Sequence, residues 1–123
     1  MEEALILVVE DDDDLRAVMR DVFSAAGARA LEAAGGIEAW SLLETHAVDV
    51  VVSDMRMAHG NGEDLLRRIK ASDSLKALPV IIVTGYSDVN KKEMLRLGAA
   101  AVLAKPFEVS QLVKTVSSCL KQG

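Results

Sequence analysis

Five short runs of apolar and β-branched residues recur along the chain, and a stretch with helical periodicity follows each of them. The runs are LILVV (5–9), ARALEA (28–33), VDVVVS (48–53), PVIIVT (79–84) and AAVLA (100–104). Strands that alternate with helices indicate βαβ units, in which the strands are parallel and the crossovers are right-handed. The first, third and fourth runs are almost continuously apolar, which is typical of strands covered by helices on both faces of a sheet.

The intervening segments carry the apolar spacing of amphipathic helices. The first spans 13–26, with apolar residues at 15, 18, 19, 22, 23 and 26, and Gly27 follows where a helix commonly ends on glycine. Four more helices are predicted at 36–46, 62–72, 88–98 and 108–120, and the one at 88–98 is the least periodic. We therefore predict one doubly wound α/β domain over 1–123, with five parallel strands and five helices. Its plausible strand order is 2-1-3-4-5, which periodicity alone does not determine.

Composition narrows the class of protein. The chain has 123 residues, half of them apolar, and a domain of this size buries roughly two-thirds of its unfolded surface. Cys119 is the only cysteine, so no internal disulfide can form, and a reducing compartment is indicated. No apolar run approaches the roughly 20 residues of a membrane span, and the start MEEA is unlike a signal peptide, so we expect a cytoplasmic protein. A net charge of −5 and four aromatic residues argue against direct binding to nucleic acid.

Polar side chains stand where the predicted strands end. In a doubly wound sheet, ligands bind beyond the carboxyl ends of the strands, at the switch point between the first and third strands. The residues that reach this edge are Glu10, Asp11 and Asp12 after the first strand, Asp54 after the third, Thr84 and Gly85 at the end of the fourth, and Lys105 and Pro106 after the fifth. The topology therefore predicts carboxylates, a hydroxyl and an ammonium at one edge.

The acidic run 10–14 has two roles in this scheme. Asp12 to Asp14 lie where the first helix starts, so their carboxylates can cap free N–H groups and complement the helix dipole. Glu10 and Asp11 instead face Asp54 across the switch point. Two unit charges about 4 Å apart repel by about 4 kcal/mol at an effective dielectric of about 20, so a compensating cation is expected. Lys105 supplies one positive charge, and a divalent ion would supply the rest.

The donor set indicates which ion would suit this edge. Two or three carboxylates with room for waters favour Mg²⁺ over a full Ca²⁺ cage, and no calcium-loop spacing is present. His46 and His59 are far from each other and from the cysteine, so a zinc site is not predicted and both are interpreted as surface histidines.

Taken together, these residues resemble the receiver domain of two-component response regulators (CheY-like, with a flavodoxin-like fold). The segments that carry the resemblance are ILVVEDDDDLR, VVSDMRMAHGNG, VIIVTGYSD and GAAAVLAKPF, which match the landmarks of that family in order and spacing. Each motif is weak by itself, but an acidic pair, a strand-end Asp, a Thr and a Lys-Pro in these registers form a specific combination. The resemblance covers nearly the whole chain.

The resemblance implies a metal site and a phosphoacceptor. Asp54 would accept a phosphoryl group from the phosphohistidine of a histidine kinase or phosphotransfer protein. Mg²⁺ would be held by Asp11, Asp54 and the backbone carbonyl of Arg56, with Glu10 acting mainly through water. An ionised carboxylate is a competent nucleophile, and phosphoryl transfer depends mostly on positioning and charge neutralisation.

The resemblance also assigns the remaining polar residues. Thr84 would hydrogen-bond the phosphoryl oxygens, and Lys105 would pair with the phosphoryl group across a cis bond to Pro106. Arg56 and Tyr86 would flank the site and slow the entry of water. The domain would catalyse only its own phosphorylation and dephosphorylation, and would switch the binding of a downstream effector that the sequence does not identify.

Two residues depart from the usual pattern of the family. Ala58 stands where proline is common, and we expect a looser loop with unchanged chemistry. Val102 stands three residues before Lys105, where the family often has an aromatic switch residue, so the response to phosphorylation should be carried by the segment 84–98 instead.

Two other functions fit parts of the sequence. Asp11-x-Asp13 formally matches the nucleophile motif of haloacid-dehalogenase phosphohydrolases, but Leu15 stands where that motif usually has Thr or Val, and the chain is too short for a cap. A non-phosphorylated pseudo-receiver that serves only for docking is the other alternative. We expect a monomer or weak dimer, either stand-alone or cut from a longer regulator or hybrid kinase.

Overall fold

The strands of the protein form one parallel sheet. A computed structural model describes residues 3–58, 60–85 and 91–122. Its strands are β1 (Leu5–Val9), β2 (Arg29–Ala33), β3 (Val50–Asp54), β4 (Val80–Thr84) and β5 (Ala101–Ala104). They pair in the order β2-β1-β3-β4-β5, and every pairing is parallel. The predicted fold class and strand order are therefore confirmed.

Five helices connect and flank these strands within the described residues. They are α1 (Asp13–Ala25), α2 (Gly36–Thr45), α3 (Gly62–Lys70), α4 (Lys91–Arg96) and α5 (Val109–Gln122). Most predicted boundaries are within two residues of these. The fourth helix ends earlier than predicted because Gly98 adopts a φ of 109°, and its amide donates to the carbonyl of Leu95 rather than continuing the helix. The predicted start of that helix, 88–90, lies outside the described residues.

Alternation along the strands gives each face of the sheet its own hydrophobic core. One core packs α2, α3 and α4 against the sheet, and its buried strand residues are Leu7, Val9, Ala33, Val51, Val80, Ile82 and Val102. The other packs α1 and α5 against the opposite face, and its strand residues are Ile6, Val8, Val50, Val52, Ile81, Val83 and Leu103. The four strands that carry the predicted site residues are thus held between two helical layers, which fixes the edge where they end.

The acidic run begins α1 as expected. The carboxylate of Asp12 accepts hydrogen bonds from the amides of Asp14 and Leu15, both at 3.0 Å. The helix ends before Gly27, whose φ of 92° lies in the left-handed region that glycine tolerates. Capping by Asp12 and termination at Gly27 are both confirmed.

The peptide bond before Pro106, the isolated histidine and cysteine side chains, and the helix lengths also bear on the expectations from the sequence. The bond between Lys105 and Pro106 is cis, as predicted. His46 is exposed and Cys119 is a buried free thiol, whereas His59 lies outside the described residues. Over the described parts of the chain, none of the helices has the length and apolar character needed to cross a bilayer.

Candidate phosphoacceptor and metal site

Three carboxylates meet at the carboxyl edge of the sheet. Glu10 and Asp11 follow β1, and Asp54 is the last residue of β3, which pairs with β1. One oxygen from each of the three lies within 4.8 Å of the others. Glu10 is buried, Asp54 is half-buried and Asp11 is exposed, so the cluster opens to solvent on the Asp11 side. This convergence is the one expected for the strand order 2-1-3-4-5, which the structure confirms.

Lys105 neutralises part of this charge. It follows β5 at the same edge, and its Nζ lies 3.0 Å from Glu10 Oε1 and 3.0 Å from Asp54 Oδ2. The ammonium therefore bridges two carboxylates that come from different strands. One positive charge facing three carboxylates leaves the cluster with a net charge of −2 when all four groups are ionised.

The surroundings of Glu10 and Lys105 raise the pKa of both groups. Burial raises the pKa of Glu10, and the nearby charge of Asp54 also raises it, against the lowering effect of the hydrogen bonds from Lys105 and the Asp12 amide. Burial lowers the pKa of Lys105, but its hydrogen bonds to Glu10 and Asp54 outweigh this, so that the pKa is raised. The lysine is therefore firmly protonated near neutral pH.

Arg16 holds the backbone of Glu10, a role that sequence reasoning missed. Its guanidinium donates to the carbonyl oxygen of Glu10 at 2.8 Å and also pairs with Asp13 at 2.6 Å. The amide of Asp12 donates to Glu10 Oε2 at 3.2 Å. These contacts orient the buried carboxylate from both its main chain and its side chain.

The loop between β3 and α3 forms the outer wall of the site. The amide of Ala58 donates to Asp11 Oδ2 at 3.2 Å. Arg56 lies two residues after Asp54 in this loop. The sequence suggested that Ala58 affects only the stiffness of the loop, whereas its N–H also contacts a carboxylate of the site. A proline at this position could not donate that bond.

Thr84 lies beside Lys105 at the edge of the sheet, whereas Val102 belongs to a hydrophobic core. Thr84 ends β4 with 3 % of its surface exposed, and its carbonyl oxygen accepts a hydrogen bond from the amide of Lys105 at 2.8 Å. Val102 pairs with Ile82 and lies in the same core as Met94 of α4. Tyr86, the predicted second flank of the site, lies outside the described residues.

The donor chemistry of this cluster fits a hard cation. All three converging ligand groups are carboxylates, and Mg²⁺ prefers oxygen donors while retaining several of its waters. The exposed side of the cluster, at Asp11, leaves room for those waters. The residues present therefore suit a divalent cation such as Mg²⁺.

Comparisons with known proteins agree with this arrangement. A family profile described as "Response regulator receiver domain" matches residues 6–117. A curated relative, the polar-differentiation response regulator DivK of Brucella anthropi, is 28% identical over 116 residues, which are 94% of each chain. Among solved structures, the receiver domain of the Francisella response regulator 1452 has a TM-score of 0.90 and 30% identity, with 98% of each chain covered. A putative response regulator from Chloroflexus aurantiacus has a TM-score of 0.92 and 30% identity, covering 98% of this chain and 99% of that one.

Proposed function

Because the chain belongs to the response regulator receiver domains of two-component signalling, we propose that Asp54 is its phosphoacceptor and that Mg²⁺ binds beside it. Receiver domains are signalling modules rather than enzymes that turn over a separate substrate.

One observation carries the proposal. Three carboxylates converge within 4.8 Å, and the Lys105 ammonium lies 3.0 Å from two of them. Such a concentration of negative charge destabilises the folded protein, because the carboxylates repel one another and one ammonium neutralises only part of their charge. A site that recruits a divalent cation and then a phosphoryl group has a use for this charge.

Each residue of the site has its own role in the proposed phosphoryl transfer. A carboxylate oxygen of Asp54 attacks phosphorus, an O–P bond forms, and the P–N bond to the donor imidazole breaks with its electron pair leaving on nitrogen. Lys105, whose raised pKa keeps it protonated, would pair with the phosphoryl oxygens. The Thr84 hydroxyl at the end of β4 would bond one of these oxygens after transfer. Asp11, Asp54 and the Arg56 carbonyl would hold Mg²⁺, with Glu10 acting mainly through water, and the bound ion would neutralise part of the charge spread over the phosphoryl group.

The partners follow from this chemistry. A histidine kinase or a phosphotransfer protein would present the phosphohistidine, and an effector would bind differently to the phosphorylated state. We expect these encounters in the cytoplasm, since a single thiol fits a reducing compartment. The unit 1–123 would act as a monomer or weak dimer.

Intact-mass measurement after incubation with acetyl phosphate and Mg²⁺ tests the proposal. The wild-type protein should gain one phosphoryl group, and Asp54→Asn should gain none. Asp73→Asn, which changes a fully exposed carboxylate, is the matched control and should be labelled like the wild type. Turnover of phosphate esters would indicate a phosphohydrolase instead, and an unchanged mass would indicate a docking module that is not phosphorylated.

A further inference from the structure

Gly62, the first residue of α3, packs against the backbone of the proposed phosphoacceptor. A Cβ placed on Gly62 would lie 2.3 Å from the carbonyl oxygen of Asp54 and 3.1 Å from the Cα of Met55. Carbon and oxygen atoms that are not bonded do not approach to 2.3 Å, so any side chain here must displace backbone. The φ of Gly62 is not positive, and the need for glycine arises from this close approach alone.

The same glycine closes the loop that follows Asp54. Its amide donates to the carbonyl oxygen of Met55 at 2.9 Å, while the carbonyl oxygen of Asp54 accepts from the Ser53 hydroxyl at 2.9 Å. Gly62 therefore contacts two successive carbonyl groups at the end of β3, those of Asp54 and Met55. Ala58, whose amide reaches Asp11, lies between these points of the chain.

We propose that Gly62 is a positioning residue of the metal site: its close contact with Asp54 holds residues 55–58 where Ala58 can bond Asp11 and the Arg56 carbonyl can face the cation. This inference rests on the proposed function, and it adds a residue that touches neither metal nor phosphoryl group.

A side chain at Gly62 would displace the loop after Asp54 rather than α3 or β3, which supports this role. Leu65, Leu66 and Ile69 anchor α3 in the core with at most 3 % of their surface exposed, so the helix cannot withdraw without opening a cavity. The buried strand β3 is paired on both sides and is equally restrained. A methyl group at Gly62 would therefore move the part that is least restrained, which is the loop.

Gly62→Ala tests the proposal, with Gly98→Ala as the matched control. Gly98 also contacts a neighbour closely, with a Cβ 3.1 Å from Lys70 Cε and a φ of +109°, but it follows α4 and takes no part in the site. Both variants should be less stable in urea. In a Mg²⁺ titration followed by amide resonances, Gly62→Ala should raise the dissociation constant about tenfold or more, the usual effect of residues that orient metal ligands. Gly98→Ala should match the wild type, and in metal-free protein only Gly62→Ala should lose amide-exchange protection at Ala58.

The possible outcomes separate the two proposals. A folded Gly62→Ala variant with wild-type Mg²⁺ affinity overturns the positioning role and leaves the proposed function standing. Equal losses of affinity in both glycine variants also overturn it, because destabilisation alone would then explain them. A wild-type protein that binds no Mg²⁺ refutes both proposals together. Should Gly62→Ala be unfolded in buffer, all proteins are titrated in trimethylamine N-oxide, which favours the folded state, and the same criteria apply.

Discussion

Replacing Lys105 with methionine should lower the free energy of unfolding, because the carboxylates at this edge would lose their cation. Methionine keeps an unbranched side chain of similar length but removes the ammonium that lies 3.0 Å from both Glu10 and Asp54. The side chains of the two carboxylates are only 3 % and 11 % exposed, so water cannot fully replace the lost cation.

The geometry sets the size of the effect. Each ion pair at 3.0 Å is worth about 5.5 kcal/mol of gross attraction at an effective dielectric of about 20. Most of that is offset because the ammonium is fully hydrated in the unfolded chain, and removing one partner of a buried pair costs roughly 3–5 kcal/mol. Since Lys105 is 29 % exposed, we expect the lower end, about 3 kcal/mol of unfolding free energy.

Urea unfolding at pH 7 with a chelator measures this loss, with the fluorescence of Trp40, the only tryptophan, as the signal. The control is Lys76→Met, because Lys76 pairs with Asp73 at 3.5 Å and both side chains are largely exposed. That variant should change stability by less than about 0.5 kcal/mol. Adding Mg²⁺ should stabilise Lys105→Met more than the wild type, since the metal becomes the main counter-charge. Equal effects of the two substitutions, or no extra stabilisation by Mg²⁺, would refute the reasoning.

The loss of stability at alkaline pH gives an independent test of the stabilising charge on Lys105. Its pKa is raised in the folded protein above the ordinary value of 10.5, so the folded state holds the proton more tightly than the unfolded state. The stabilisation is therefore fully present below pH 10.5 and is lost as pH rises through the folded pKa. The Lys105→Met variant should lack this loss of stability. If the unfolding free energies of the wild type and the variant fall in parallel above pH 10.5, Lys105 is not the group responsible.

Three further outcomes concern the metal, the lifetime of the phosphoryl group and the response. Mg²⁺ at 100 times its dissociation constant should stabilise the wild type by about 2.7 kcal/mol, and Asp11→Asn should lose most of this; a melting temperature unaffected by millimolar Mg²⁺ in the wild type would exclude the metal site. Alanine at both Arg56 and Tyr86 should speed hydrolysis of the phosphorylated protein, because long side chains obstruct in-line attack by water; an unchanged rate would exclude shielding. Beryllofluoride should shift amide resonances most over 84–98 and less around Val102, whereas dominant shifts on β5 and α5 would overturn this expectation.

The positions of the acidic and basic residues of the site could be read from the sequence for a simple reason. Parallel strands deliver their carboxyl ends to one edge, so residues after each apolar run meet once the strand order is known. Glu10, Asp54 and Lys105 were predicted in this way. Their distances, and the sharing of one ammonium between two carboxylates, required the three-dimensional structure.

The contacts that support the site, made by Arg16, Ala58 and Gly62, could not be predicted from the sequence. Arg16 three residues after Asp13 suggests an ordinary surface pair, and its bond to the Glu10 carbonyl depends on the direction of the backbone. The amide of Ala58 is present in every residue except proline, so its contact with Asp11 has no signature. Gly62 looks like an ordinary helix-start glycine until the neighbouring carbonyl is known.

The strand order has a consequence for the timing of function during synthesis. Lys105 is 95 residues from Glu10 and 51 from Asp54, yet it touches both. A ribosome-bound chain that has released β1 to β4 already displays all three carboxylates but has no lysine between them, and β4 still lacks its outer partner. Pairing of β5 completes the sheet and brings the lysine between the carboxylates in one event. Phosphotransfer competence should therefore arise only in chains that include β5 and Lys105, so that translation products truncated before Lys105 would not draw phosphoryl groups from the kinase.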